Sequence, residues 1–75
     1  MGDNAKMTTV IKQHSTENYY ISLDCERAYN TEYYAVRVYP IIGGECRYPE
    51  KEMIYPISAQ KKANATFLRY KRKYK

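Results

Sequence analysis

The sequence predicts an α+β domain, an antiparallel three- to four-stranded β-meander with one C-terminal α-helix packed on one face. Two segments in the first half alternate apolar and polar side chains with the period of a strand, and a Gly-Gly pair follows the second. The residues after Pro56 contain no glycine or proline and have helical periodicity. A chain of 75 residues is one domain at most.

Residues 8–13 are β-prone, and the polar residues 14–18 predict a turn. In residues 19–25 (YYISLDC) and 33–42 (YYAVRVYPII), every second side chain is apolar, which predicts two strands buried on one face. The polar residues 26–32 are expected to connect them. Pro40 has no backbone N–H, so it predicts a bulge or an edge in the second strand.

Gly43 and Gly44 tolerate the positive φ angles of a tight hairpin turn, so a return strand is expected at residues 45–48. Residues 49–51 interrupt the pattern, and residues 52–55 (EMIY) predict a further short strand before Pro56 ends the sheet.

Ser58 is the expected N-cap of a helix that extends toward the chain end. The helix has an apolar stripe at spacings of three and four residues, which is expected to face the sheet. This stripe consists of Ala59, Ala63, Phe67, Tyr70 and Tyr74. The predicted core joins Ala63, Phe67 and Tyr70 to the sheet residues Tyr19, Ile21, Leu23, Tyr34, Val36 and Val38.

Cys25 and Cys46 are expected on strands either side of the central strand, about 9–10 Å apart. That separation exceeds the roughly 7 Å limit for a disulfide, so both are expected to be free thiols. Residues 1–6 are expected to be a disordered leader and residues 7–75 the domain. The N-terminus has no signal-peptide pattern and no apolar run approaches about 18 residues, so we expect a reduced, cytoplasmic protein without membrane contact.

The charge distribution favours an anionic partner. Residues 1–57 carry six basic and eight acidic side chains, whereas residues 58–75 carry seven basic and none acidic. DNA or RNA is the commonest partner of such a small basic domain, and an acidic protein surface is the alternative. The candidate nucleic-acid-binding residues are Lys61, Lys62, Arg69, Lys71, Arg72 and Lys73.

Helix chemistry offers a second interpretation of the C-terminal cations, because positive charge near a helix C-terminus complements the macrodipole. Lys61 and Lys62 are more informative, since the first turn of a helix disfavours cations. Two lysines there make sense if an anion docks at the helix N-terminus. Neutral drift at exposed positions is the alternative.

Four residues of the open sheet face form a second candidate site, either for stacking bases or for a partner protein or second copy of the chain. Cross-strand tyrosine pairing that only stabilises the sheet is the third interpretation. The four residues are Tyr20, Tyr33, Arg37 and Tyr39.

Enzymatic chemistry is not indicated. The sequence contains no nucleophile–base–acid set and no Gly-rich phosphate loop, so no catalytic residue, cofactor or small-molecule substrate is expected. Two cysteines and the distant His14 lack the paired spacing of a zinc site.

The stretches EYYAVRVYPIIGGECRYPEKEM and KKANATFLRYKRKY resemble small uncharacterised proteins encoded in the genomes and mobile elements of gut Clostridia-type bacteria. The resemblance covers most of the chain after Met7. It implies a bacterial cytoplasmic setting and brings no activity or site.

The predicted architecture is also similar to those of two known kinds of nucleic-acid-binding domain. Strands followed by a helix that opens SAQKK look like the second half of a double-stranded-RNA-binding domain, which implies phosphate contacts for Lys61 and Lys62. No N-terminal helix is predicted, however, and Asn64 and Ala65 stand where that family has a third lysine. A three-stranded sheet with a packed helix is also similar to the arm-binding domains of some integrases, which read DNA with the sheet. Both are likenesses of fold alone.

Overall fold

The computed structural model describes residues 7–75, which form one antiparallel sheet and one α-helix. The elements are β1 (Met7–Ser15), β2 (Tyr19–Ala28), β3 (Thr31–Ile42), β4 (Glu45–Cys46), β5 (Lys51–Pro56), a 3-10 turn (Ile57–Ala59) and α1 (Gln60–Lys73). β1 pairs with β2 and β2 with β3, while β4 and β5 both pair with β3. The predicted fold class is confirmed. The predicted leader lies outside the described residues.

The β2–β3 hairpin is longer than predicted. Its pairing is continuous from Tyr19 opposite Pro40 to Ala28 opposite Thr31. The expected polar connection at residues 26–32 is therefore wrong, and only Tyr29 and Asn30 form the turn. Both have positive φ, 53° and 67°, which is the backbone that matches a two-residue loop to the twist of its strands.

The second edge of the sheet is interrupted. Gly43 and Gly44 make the predicted tight turn with φ values of 63° and 81°, but β4 is only two residues long. Backbone pairing resumes where Glu50 N donates to Val38 O at 2.7 Å, whereas Ile41 N donates to Asn18 O, just before β2 and on the opposite side of β3. Backbone groups of successive strand residues point to alternate sides, so the missing N–H of Pro40 faces the edge where pairing is interrupted.

The hydrophobic core lies between one face of the sheet and α1. The predicted sheet residues Ile21, Leu23, Val36 and Val38 are 0–1% exposed; the predicted set forms one cluster, with Tyr19 partly buried against it. Tyr74 also belongs to it, because its ring meets Tyr19 edge-on at 5.1 Å between centroids. The core prediction is confirmed, and the cysteines are free thiols on β2 and β4, either side of β3.

The start of α1 differs from the prediction. Ser58 lies in the 3-10 turn, and the N-cap is Ala59, which has no side-chain oxygen to accept a capping hydrogen bond. The helix ends at Lys73, where Tyr74 N donates to Tyr70 O at 2.8 Å. The tight turn after Pro56 starts the helix without a polar cap, so the Ser58 signal was misleading.

Two contacts orient α1 across the sheet. The hydroxyls of Tyr55 on β5 and Thr66 are 2.5 Å apart, and Tyr74 meets Tyr19 at the start of β2. The helix therefore crosses from the end of β5 toward the β1–β2 turn. An open groove separates its C-terminal half from β1.

Candidate nucleic-acid interface

The exposed surface of α1 and the residue after its C-cap is strongly basic. The helix buries Ala63, Thr66, Phe67 and Tyr70 against the sheet, and its sequence contains no acidic residue. The six predicted cations of the helix and Lys75 beyond it are all exposed. They are Lys61, Lys62, Arg69, Lys71, Arg72, Lys73 and Lys75.

The six cations within α1 lie in three rows, because an α-helix turns about 100° per residue. The outer ridge, opposite the buried stripe, consists of Lys61, Ala65, Leu68 and Arg72. The flank on the Thr66 side, the β5 flank, consists of Lys62, Arg69 and Lys73. The opposite flank, the β1 flank, carries Lys71, and Lys75, which follows the extended C-cap Tyr74, lines the groove on the same side. The groove beside β1 and the Tyr55–Thr66 contact identify the two sides.

The groove at the β1 flank brings His14 to the end of the helix. It is lined by His14, Leu68, Lys71, Arg72 and Lys75. Sequence reasoning did not include His14 or Lys75 in the site. The signal was tertiary, since His14 reaches α1 only because it pairs with the core residue Ile21.

Lys61 and Lys62 lie at the other end of α1. They line a shallow open depression together with Pro56, Ser58 and Gln60. The first turn contains no acidic residue, and its N-cap accepts no side-chain hydrogen bond from the backbone N–H groups. With Ala59 as N-cap, Lys62 occupies the third helical position, where a capping box would have Glu or Gln.

Arg69 and Lys73 each make a cation–π contact with the neighbouring tyrosine ring. The guanidinium carbon of Arg69 is 5.5 Å from the centroid of the Tyr70 ring, and Lys73 Nζ is 5.5 Å from that of Tyr74. Contacts of this kind are worth about 0.5–1 kcal/mol at exposed sites. Both cations remain exposed.

Carboxylates and helix cations are kept apart. Within residues 7–75, the ion pairs are made by Arg37 and Arg47, neither of which belongs to α1. The helix surface is therefore electrostatically uncompensated within this part of the chain, and a polyanion would meet no internal competitor.

The open face of the sheet has the opposite character, and Arg37 lies at its centre. Arg37 makes a two-pronged contact with Glu26 at 2.6 and 3.0 Å, and its Nε donates to Glu52 at 2.6 Å. Asp24 is 3.6 Å away. The hydrogen bond to Glu26 is the main reason why the pKa of Arg37 rises above its ordinary value. The structure thus surrounds this predicted stacking residue with three carboxylates.

The predicted tyrosines accompany this acidic cluster. The rings of Tyr20 and Tyr39 lie 5.9 Å apart and tilted, and Tyr20 donates its hydroxyl proton to Gln13 at 2.7 Å. Burial, and then the charge of Asp24, raise the pKa of Tyr20. Tyr33 lies on the same face opposite Glu26. The structure brings the four predicted face residues together on one surface, on the side of the sheet away from the helix cations.

Comparisons with known proteins add no family. No family model, curated protein or solved structure matches the chain. Within residues 7–75 no helix is long and apolar enough to cross a bilayer. The same residues contain no group of three or more metal-ligating side chains placed to hold an ion.

Proposed function

We propose that this chain is a small binding module that contacts nucleic-acid phosphates through the exposed surface of α1. The observation that carries the proposal is a run of seven exposed cations with no acidic residue between them. Lysine and arginine side chains neutralise phosphates and release counterions, and this release supplies most of the affinity in sequence-independent binding. The proposed role is binding rather than catalysis.

Local stability argues against the lysines at the start of α1 unless they bind something. A cation in the first turn opposes the helix macrodipole by about 0.3–1 kcal/mol. Lys61 and Lys62 both destabilise the helix in this way, and no acidic residue of the first turn offsets the effect. A phosphate at this end would reverse the balance, because the backbone N–H groups and both ammonium groups favour an anion.

The acidic sheet face supports the choice of the helix. Three carboxylates surround the guanidinium of Arg37 there, so this guanidinium is already engaged and is not available to a phosphate backbone. The aromatic side chains of that face are consequently assigned no part in nucleic-acid binding.

A salt titration tests the proposal. Labelled 20-nucleotide DNA and RNA probes are titrated with the protein by fluorescence anisotropy at several salt concentrations. If about five phosphates are neutralised, log K should fall against log salt with a slope of roughly −4 to −5 on a DNA duplex. Absence of binding to every probe at low salt would contradict the proposal.

Charge reversal at the helix start distinguishes binding at a local site from a general effect of the net charge. Lys61→Glu/Lys62→Glu should weaken binding at least about tenfold and flatten the salt slope. The same variant should raise the free energy of unfolding by about 0.5–2 kcal/mol, because acids favour a helix N-terminus. Arg47→Glu/Lys51→Glu has the same net charge and changes the sheet edge instead, so it serves as the matched control. Equal loss in both variants would assign binding to net charge alone.

A second candidate function is self-association through β1. Among the described residues β1 pairs only with β2, so its other edge carries backbone groups that another strand can use. Its exposed side chains include Met7, Val10 and Ile11, which are 65%, 50% and 43% exposed. β1 contains no acidic residue, so two copies could pair antiparallel about a two-fold axis with no carboxylates opposed.

Light scattering tests whether the chain self-associates through β1. A dimer mass that returns to the monomer mass in Val10→Lys would support pairing through β1. A monomer mass at high protein concentration would reject it. Thr9→Lys adds the same charge to β1 at an exposed polar position and is the matched control.

A further inference from the structure

We infer that the preferred ligand is a B-form DNA duplex, with α1 lying in the major groove and its two flanks contacting phosphates of opposite strands. This inference rests on the proposed function and narrows its ligand. It follows from where the cations lie around the helix, from the size of the helix, and from where the aromatic rings lie.

Cations on both flanks imply phosphates on both sides of the helix. Within α1, Lys71 on the β1 flank lies roughly 180° around the axis from the β5 flank (Lys62, Arg69, Lys73), at about 100° per residue, and Lys75 beyond the helix end lines the same groove as Lys71. A single strand passing along one side of α1 would be reached by only one flank. The two walls of a groove would be reached by both.

The dimensions agree with a major groove. An α-helix with its side chains is about 10–12 Å across, and the B-form major groove is about 12 Å wide and about 8.5 Å deep. The second layer of residues 7–75 consists of α1 alone, so in this part of the chain no neighbouring helix blocks its approach. The outer ridge would then face the base edges, and its smaller members Ala65 and Leu68 would allow close approach.

The aromatic rings argue against a single strand. Proteins that bind single strands combine cations with exposed rings on which bases stack. On α1, Phe67 and Tyr70 are 4% and 6% exposed, and Tyr74 beyond its end is 7% exposed. The tyrosines Tyr20 and Tyr39 lie on the acidic face instead. The basic surface therefore has charge without a stacking platform.

Duplex RNA fits less well for a geometric reason. The major groove of an A-form helix is deep and narrow, so protein side chains do not read it. A helix with cations on two flanks would meet both phosphate walls in DNA but would be held outside the groove in RNA.

Four probes of one sequence test the inference by anisotropy at a single low salt concentration. They are a 20-base-pair DNA duplex, one of its single strands, the RNA duplex, and the DNA duplex with bulky groups on the pyrimidine C5 atoms, which lie in the major groove. We expect the unmodified DNA duplex to bind at least about tenfold more tightly than each of the others.

The outcomes separate this inference from the proposed function. Equal or tighter binding of the single strand, of the RNA duplex or of the C5-substituted duplex would overturn groove insertion while leaving phosphate binding intact. Failure of all four probes to bind would overturn both.

Flank variants give a second, independent measurement. Lys62→Gln/Lys73→Gln removes two charges from the β5 flank, and Lys71→Gln/Lys75→Gln removes two from the β1 flank. Each should reduce the magnitude of the duplex salt slope by about 1.8, since each phosphate contact contributes about 0.9. The control Arg47→Gln/Lys51→Gln should leave the slope unchanged. A slope that responds to only one flank would overturn the two-walled arrangement.

Discussion

Arg37 shows how neighbouring strands decide the role of a single side chain. The sequence places it on an open sheet face beside tyrosines, where an arginine can stack or bind. In the folded chain it is only 12% exposed and contacts carboxylates from β2 and β5. Its partner Glu26, assigned to a polar connection, instead lies in β2 and is 2% exposed. Extending the alternation of β2 by one more residue would have placed Glu26 on the same face.

Replacing Arg37 should be costly. Arg37→Leu removes the guanidinium from the buried carboxylate of Glu26 and should lower the free energy of unfolding by about 2–4 kcal/mol. Urea denaturation measures the change. The double variant Glu26→Leu/Arg37→Leu should be less destabilised than Arg37→Leu, because a buried charge is removed together with its partner.

The exposed pair of Arg47 and Glu45 provides the control. Its atoms are 3.5 Å apart and its side chains are 74% and 68% exposed, so Arg47→Leu should change stability by under about 1 kcal/mol. Equal losses for Arg37→Leu and Arg47→Leu would show that burial of the carboxylate cluster does not matter.

The raised pKa of Tyr20 predicts that the domain loses stability at alkaline pH. Burial and the charge of Asp24 raise its pKa in the folded chain, whereas the unfolded chain titrates near pH 10. Above about pH 10 the unfolded state therefore releases this proton first, and the free energy of unfolding falls as pH rises through the folded pKa. Tyr20→Phe should reduce this fall between pH 9 and 11 in urea denaturation.

Tyr48→Phe is the matched control for the alkaline series, because Tyr48 is 81% exposed. It should leave the pH dependence as in the parent chain. If Tyr20→Phe also leaves it unchanged, the raised pKa of Tyr20 does not contribute to stability.

At the scale of elements, the turns show two different kinds of sequence signal. Gly43 and Gly44 identify their hairpin directly, since glycine adopts positive φ without steric cost. Tyr29 and Asn30 adopt the same backbone, but Tyr29 is not a typical turn residue. The longer β2–β3 hairpin was missed because its ten-pair ladder, rather than its turn residues, holds the strands together.

Substitutions in the turn at Tyr29 and Asn30 should stabilise the domain. Tyr29→Asn/Asn30→Gly installs residues that favour positive φ at both positions and should raise the free energy of unfolding by about 0.5–1.5 kcal/mol. Thermal and urea denaturation measure it. Tyr48→Asn also removes an exposed tyrosine and should stay within about 0.5 kcal/mol of the parent chain. An unchanged or lowered stability of the turn variant would show that the Tyr29 backbone carries no strain.

At the scale of the whole molecule, one core holds both layers together. Phe67, which is 4% exposed, packs between α1 and the sheet. Phe67→Ala should cost about 3–5 kcal/mol, a large share of the stability of a domain this small. Helix and sheet signals in circular dichroism should therefore be lost together on heating, at a much lower temperature than in the parent chain.

Leu68 is the neighbouring control, because it is 46% exposed on the outer ridge. Leu68→Ala should change stability by no more than about 0.5 kcal/mol. Separate melting of helix and sheet in Phe67→Ala would contradict a single cooperative core.

Charge is also organised at the scale of the whole molecule. The basic surface of α1 and the carboxylates around Arg37 lie on opposite sides of the sheet, and the shortest extent of the Cα trace is 16 Å. The carboxylates of that cluster contact Arg37, and solvent-exposed charges are screened over about 8 Å at physiological salt, so the cluster reduces the attraction of the helix for a polyanion only in part. The net charge of +5 understates the local field of α1.

The sequence by itself determined the α+β class, the core face and the basic helix, because alternation, helical spacing and the acid-free C-terminal segment are local patterns. Tertiary structure decided the rest. It brought His14 to the helix end, surrounded Arg37 with carboxylates, and moved the helix start past Ser58. These depend on which distant residues meet across strands, and local periodicity does not specify such pairings. The same reason explains the two kinds of side chain in residues 67–75 (FLRYKRKYK). The aromatic rings are buried because the sheet lies beneath them, whereas the cations between them remain exposed.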